Sequence, residues 1–248
     1  MIVLKTTDEI EKMRVAGRVV GQALDLAGRE IKPGMTTREL DTLIETYLRD
    51  NGAIPAFKGY HGFPASACIS VNEEVVHGIP GDRVINEGDI VSVDVGSIID
   101  GWYGDSARTF AVGAVDKTRT ELMECTLQAL MAGIDKARKG HKLGEISSTV
   151  QQTAENRGYG VVRQLVGHGI GKSMHEEPQV PNFGSPNEGP ALKTGMVLAI
   201  EPMINMGTRE VKTLADGWTV VTADGQPSAH FEHTVAITDD GPDILTVA

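Results

Sequence analysis

An aspartate in the middle of an apolar run needs a reason other than solvation. Asp94 is such a residue. The stretch Ile90 to Val112, IVSVDVGSIIDGWYGDSARTFAV, is apolar at nearly every position up to Ser97 and reads as a buried strand with one carboxylate inside it. Asp100-Gly101 follows, a strong two-residue hairpin signal because both central positions of such a turn favour positive φ. The return strand from Trp102 carries Asp105. With Asp100 and Gly101 as the loop, Ile99 faces Trp102 and Gly96 faces Asp105. Asp94, two residues from Gly96, then shares a face with Asp105. The two carboxylates become diagonal cross-strand neighbours, their backbones roughly 7–8 Å apart. Ionised carboxylates so placed repel each other and lose hydration, so they either share a proton or hold a metal ion. The hairpin alone leaves both open.

The elements that must position this hairpin occur twice. Thr6-x-x-Glu9 is a capping box opening a helix with Ile10, Met13, Val20 and Leu24 on one face, and Lys32-Pro33-Gly34 stops it. Thr36-x-x-Glu39 opens a second, with Leu40, Leu43, Ile44, Tyr47 and Leu48 at helical spacing and Asn51-Gly52 closing it. A loop rich in glycine and aromatics leads from there to the hairpin. From Asp116 a long helical stretch carries Leu122, Leu127, Leu130 and Ile134 and breaks at Lys139-Gly140; a shorter one through Glu145, Ile146 and Val150 ends near Gly158.

At an offset of 106, Gly34, Glu39 and Gly52 fall on Gly140, Glu145 and Gly158. At 107, EGDIVSVD falls on TGMVLAIE, so that Asp94 meets Glu201, and His61-Gly62 meets His168-Gly169. This reads as a diverged duplication, with halves of about 1–115 and 116–248. The second hairpin is longer, and Glu232 lies in its return run, AHFEHTVAI, which reads as a strand. Each half then offers two carboxylates on facing strands, and a pseudo-twofold axis brings all four to the centre. Four convergent carboxylates cannot all ionise in a dry site without divalent charge. With His168 from QLVGHGIG the donor set is oxygen-rich with one imidazole, which suits Mn, Fe, Co or Zn rather than a thiolate-bound structural zinc. Two such ions would position a shared water as a nucleophile at neutral pH.

The composition is consistent with that chemistry and excludes others. The chain is long enough at 248 residues to bury a sizeable core. No apolar run approaches the length of a membrane span, and MIVLKTTDEIEKMRVAG lacks the apolar stretch of a secretion signal. Cys68 and Cys125 are the only cysteines, as expected of reduced thiols in a cytoplasm. A net charge of −11 argues against a nucleic-acid partner.

Asp94, Asp105, His168, Glu201 and Glu232, with GHGIG and HEEP between them, resemble the type I methionine aminopeptidases, and the likeness runs from the first helix to EHTVAI. The resemblance implies the α+β pita-bread fold: two pseudo-twofold related helix–helix–hairpin halves around a central antiparallel sheet. It implies two divalent ions, Asp94 on one, His168 and Glu201 on the other, Asp105 and Glu232 bridging. It also implies that Glu201 shuttles a proton to the leaving amine, while His77 and His175 hydrogen-bond the scissile amide and the oxyanion. The side-chain pocket of the family falls on Phe57, Tyr60, Phe63 and Cys68, with Trp218 opposite. Tyr60 and Trp218 match; Phe57 stands where many bacterial relatives have cysteine, Phe63 where they often have tyrosine, and Met174 where they have an aromatic. His61 and His233 are expected to be structural.

The expected protein is thus a single catalytic domain, 1–248, that removes the initiator methionine when the second residue is small. Its partners would be nascent chains near the ribosome; it would act as a cytoplasmic monomer, without nucleic acid or membrane. The chain begins directly with the catalytic half, so no docking extension is expected. Two rivals share the fold: a peptidase acting before or after proline, and a non-catalytic interaction protein. The second kind has lost ligands, whereas all five are present here.

Overall fold

Thr6 opens helix α1, Thr7–Glu30, in the computed structural model, which describes residues 1–248. The Thr6 hydroxyl accepts from the Glu9 amide, and Glu9 Oε2 accepts from the Thr6 amide at 2.9 Å. Thr36 and Glu39 repeat the arrangement at the start of α2, Thr37–Asp50. Each box satisfies amides that a helix N-terminus otherwise leaves without partners.

The apolar stripes of these helices cover a sheet built from β1 (Ala67–Val71), β2 (Ile90–Ile99) and β3 (Trp102–Ala111). Val20, Leu24, Leu40, Ile44 and Leu48 pack with Ile69, Val91, Val93 and Val95 in one buried cluster. Each such side chain contributes about 1.5–3 kcal/mol on burial. Because successive residues of β2 alternate faces, committing Val91, Val93 and Val95 to the helices turns Ser92, Asp94 and Gly96 the other way. The hairpin has the register expected of its turn: Ile99 pairs with Trp102 and Gly96 with Asp105. Asp100 and Gly101 have φ of 50° and 77°. Helix α1 lies close on this hairpin at Gly17 and Gly104, where a Cβ on Gly104 would stand 2.7 Å from Gly17 N.

The second half repeats the order with α3 (Lys117–Lys136), α4 (Leu143–Glu155) and a second antiparallel pair. Leu122, Leu130, Ile134 and Ile146 pack on Leu198, Ile200, Ile204, Val235 and Ile237. Leu127 departs from the expected stripe: it is 40% exposed. The buried face of α3 runs instead through small residues, Cys125, Ala129 and Gly133. A Cβ on Gly133 would meet the Val150 side chain at 2.8 Å, so a larger residue there would push α4 away.

Six further strands complete the frame of the site. These are β4 (Gly167–Gly169), β5 (Glu176–Val180), β6 (Val197–Ile200), β7 (Met203–Asn205) and β8 (Ser228–His230), followed by β9 (His233–Thr238). A five-stranded sheet runs Gly241–Ile244, β9, β6, β4, β5. Strands β6 and β9 pair with His233 opposite Ile200, and β7 and β8 pair with Met203 opposite His230. The two ladders keep one register, so Glu201 and Glu232 fall opposite each other in the gap between them.

This corrects the expectation that each half holds its acids on facing strands. Asp94 and Asp105 do sit within a continuous ladder. Glu201 and Glu232 sit in an interruption, where Pro202 has no amide to donate and the Phe231 amide reaches Pro202 O at 3.4 Å. The two hairpins join along β3. Glu232 N donates to Ala107 O at 2.9 Å, Thr234 Oγ1 donates to Asp105 O at 2.7 Å, and Ser106 Oγ donates to Glu232 O at 2.5 Å.

Candidate active site

The two hairpins meet over a cavity of about 240 Å³. Its walls include all thirteen residues singled out in the sequence as ligands, catalytic groups or pocket wall, and one more, His61.

At its floor lie Asp94 and Asp105 from the first hairpin, Glu201 and Glu232 from the break in the second, and His168 from β4. Ligand atoms of Asp105, His168 and Glu232 all lie within 4.8 Å of one another. His168 Nε2 is 3.9 Å from Asp105 Oδ2 and 3.6 Å from Glu201 Oε1. Close backbone approaches explain the glycines flanking His168: a Cβ on Gly167 would strike Ala199 O, and one on Gly169 would strike Glu177 O. The His168 Nδ1 lies 2.9 Å from Gly169 O. A carbonyl can only accept, so Nδ1 carries the proton and Nε2 turns its lone pair toward the carboxylates.

That is an unstable arrangement without a cation. Burial pushes the carboxyl of Asp94 up to about 7. Burial, then Glu232 and Asp94, push Asp105 well above the usual range. Glu201 is raised by burial, Asp105 and Asp94, and Glu232 by burial, Glu201 and Asp94. Burial and the neighbouring His175 lower His168 to about 4, so its ring is neutral at pH 7. Asp94 Oδ1, Asp105 Oδ1 and Glu232 Oε1 are buried with no hydrogen-bond partner. Shared protons would give these oxygens partners; a divalent ion gives them ligation. Three partnerless oxygens and one aimed imidazole lone pair therefore fit a hard or borderline divalent cation.

Two more histidines address the cavity. His175 Nδ1 is 2.8 Å from the Tyr60 hydroxyl, and its ring lies 4.3 Å from that of His168, centroid to centroid. His77 has φ of 59°, rare for a residue with a Cβ. The chain behind it is pinned to β1, with Gly78 N donating to Ser70 Oγ at 3.1 Å and Ile69 N donating to Gly78 O at 2.9 Å. Burial lowers both His77 and His175 below the ordinary imidazole value.

The remaining wall is apolar. Phe63 and Cys68 are buried and pack with Phe57 and Trp218, the Phe63 and Trp218 rings edge to face at 5.2 Å. Phe57 and Met174 both close over Gly96, where a Cβ would stand 2.6 Å from Phe57 Cε1 and 3.1 Å from Met174 Cε. His61 enters the cavity beside Tyr60, with ring centroids 4.4 Å apart. His233 turns away, its Nδ1 2.8 Å from Thr246 Oγ1.

One residue escaped the sequence reading. His230 is buried, its Nε2 has no partner, and that atom lies 4.0 Å from Glu201 Oε2. Burial lowers it to about 3, so it too is neutral. The signal was there in AHFEH: His230 and Glu232 are two apart, the spacing that puts strand residues on one face.

Comparisons with known proteins agree with this geometry. Residues 11–239 match the model of metallopeptidase family M24. A methionine aminopeptidase of Clostridium acetobutylicum is 54% identical over 248 residues, all of this chain and 99% of its own. The crystal structure of methionine aminopeptidase from Thermotoga maritima superposes with a TM-score of 0.98 at 47% identity, covering all of both chains. A prolidase from Pyrococcus furiosus gives 0.82 at 28% identity, over 99% of this chain and 66% of its own. The chain belongs to metallopeptidase family M24 and has its pita-bread fold. Within that family it falls in the type I methionine aminopeptidase branch, and it is a metal-dependent aminopeptidase.

Proposed function

We propose that this enzyme removes N-terminal methionine from polypeptides whose second residue is small, using two divalent ions drawn from Co, Mn, Fe or Zn. The observation that carries the reading is the adjacency of two unlike surfaces in one cavity. Partnerless carboxylate oxygens face His168 Nε2 on one side, and Phe63, Cys68 and Trp218 form a closed apolar wall on the other.

Asp94 would hold one ion, His168 and Glu201 the other, and Asp105 and Glu232 both. Bound there, divalent ions supply Lewis acidity and acidify water enough for attack on an amide at neutral pH. The rest is the work of side chains. Glu201, with its raised pKa, accepts a proton and returns it to the departing amine. When the Tyr60 hydroxyl donates to His175 Nδ1, the ring proton sits on Nε2, ready to donate to oxyanion charge. His77, neutral and held by the β1 contacts, donates to the substrate backbone. Phe57, Tyr60, Phe63, Cys68, Met174 and Trp218 bury the unbranched thioether, a flexible apolar side chain that such a wall accommodates well.

Length of the second side chain is limited by collision with the rim beside Met174 and His175, not by loss of a contact. Natural substrates are then nascent chains near the ribosome, and the enzyme acts as a cytoplasmic monomer independent of nucleic acid and membrane. No helix is long and apolar enough to cross a membrane. The test uses Met-Ala-Ser and Ala-Pro-Ala peptides with and without added Mn or Co. Metal-dependent release of methionine from the first and no cleavage of the second is expected. Cleavage of Ala-Pro-Ala instead would place the activity with the proline-directed members of the family.

A further inference from the structure

His230 is the one buried histidine near the carboxylates that the proposed chemistry does not use. Its position is set from behind. At the end of β8 its amide donates to Thr109 Oγ1 at 2.9 Å, and its carbonyl accepts from the same hydroxyl at 2.8 Å. Across the ladder it pairs with Met203. With its backbone tied on both sides the ring has little freedom, yet its Nε2 is left without a partner. An unsatisfied buried polar atom costs about 1–3 kcal/mol, so it persists where something else compensates.

The group it faces is Glu201. The two oxygens of that carboxylate are divided: Oε1 lies 3.6 Å from His168 Nε2, and Oε2 lies 4.0 Å from His230 Nε2. His230 is absent from the cavity wall, whereas Glu201 is part of it. We propose that His230 is a positioning residue for Glu201: its Nε2–H donates to Oε2 and so holds Oε1 toward His168, with which it would ligate a metal ion. Closing 4.0 Å to hydrogen-bond length takes a carboxylate movement of about 1 Å, within the range of a small side-chain adjustment. Outer partners that fix a ligand in this way are typically worth 10–100-fold in metal affinity. The inference rests on the reading of Glu201 as a ligand.

The experiment measures Mn²⁺ binding by calorimetry, independently of turnover, for the wild type, His230→Leu, His230→Gln, Glu201→Ala and the His230→Leu/Glu201→Ala double variant. A glutamine amide can place an N–H where the imidazole Nε2 stands, whereas leucine cannot donate. His230→Leu should weaken binding 10–100-fold, and His230→Gln should stay within about threefold of wild type. In the Glu201→Ala background His230→Leu should have no further effect, because the partner through which it acts is gone. Melting of the chelator-treated proteins adds a readout that a structural role would move in the opposite direction. Replacing a partnerless buried polar group by an apolar one should leave His230→Leu at least as stable as wild type.

Wild-type affinity in His230→Leu, or equal losses in His230→Leu and His230→Gln, overturns the proposal. So does a loss that simply adds to that of Glu201→Ala. Should His230→Leu fail to fold, His230→Asn takes its place, its amide one methylene too short to reach; Asn and Gln binding alike would then be the overturning result. Unimpaired binding in Glu201→Ala would instead remove the ligand reading on which the proposal stands.

Discussion

In the proposed two-ion centre a carboxylate that serves both ions would be lost to both when removed, which would separate Asp105 and Glu232 from Asp94. Asp105→Ala should bind neither ion after dialysis, while Asp94→Ala should keep about one per chain by metal analysis. Two ions retained in Asp105→Ala would end the bridging assignment. The Tyr60–His175 contact gives a second residue-scale prediction. His175→Ala should lower kcat by roughly 10²-fold at unchanged metal content, as removal of a transition-state donor does elsewhere. Tyr60→Phe, which only frees the tautomer, should lower it by a smaller factor. Normal turnover in His175→Ala would make the ring a structural neighbour of His168 and nothing more.

The segment 171–176, carrying Met174 and His175, is held as an element by one buried ion pair. Lys5 Nζ lies 2.6 Å from Glu176 Oε2, with side chains 2% and 14% exposed. Glu176 Oε1 accepts from the amides of Lys172 and Ser173, and the Lys5 amide donates to Gly195 O at 2.7 Å. Gly171 leaves no room beside the pair, since a Cβ there would stand 2.6 Å from both Glu176 Oε1 and Lys5 Cε. Breaking a buried pair from one side strands the other charge, so Lys5→Met should destabilise the fold by roughly 3 kcal/mol in urea denaturation. An unchanged midpoint would mean the two amides satisfy Glu176 unaided. The hairpin has a counterpart at Gly96. There Gly96→Ala should raise KM for Met-Ala-Ser by displacing Phe57 or Met174 while metal content stays unchanged; an unchanged KM would show the wall yields without consequence.

Across the whole molecule, four acids crowd together where the two halves join and would repel if all were ionised. Without ions the folded protein holds protons on carboxyls that the unfolded chain would release at about pH 4. Their contribution to stability is therefore present below about pH 4 and is lost as pH rises through the raised values, about 7 for Asp94. Divalent ions replace the protons and bind more tightly as the ligands ionise. The gap in Tm between Mn²⁺-loaded and chelator-treated protein should accordingly widen from pH 5.5 to pH 8. A constant gap would show that the carboxylates carry little of the strain assigned to them.

Much of this was legible in the sequence because it is decided within a few residues. Asp100-Gly101 permits only one register, which fixes Asp94 and Asp105 on a common face. The boxes at Thr6 and Thr36 start their helices through hydrogen bonds three residues long. The chain order of the ligands also marked the family. What periodicity could not give was set by contacts between distant segments. Leu127 faces water because α4 needs the small-residue face of α3, and Glu201 meets Glu232 in a gap because Pro202 interrupts the ladder. His61 lines the cavity because its loop folds back on Tyr60. His230 acquires its place only when Thr109, 121 residues away, fixes its backbone behind Glu201. Local chemistry specifies which face a side chain takes, but what that face meets is chosen by the packing of the two halves.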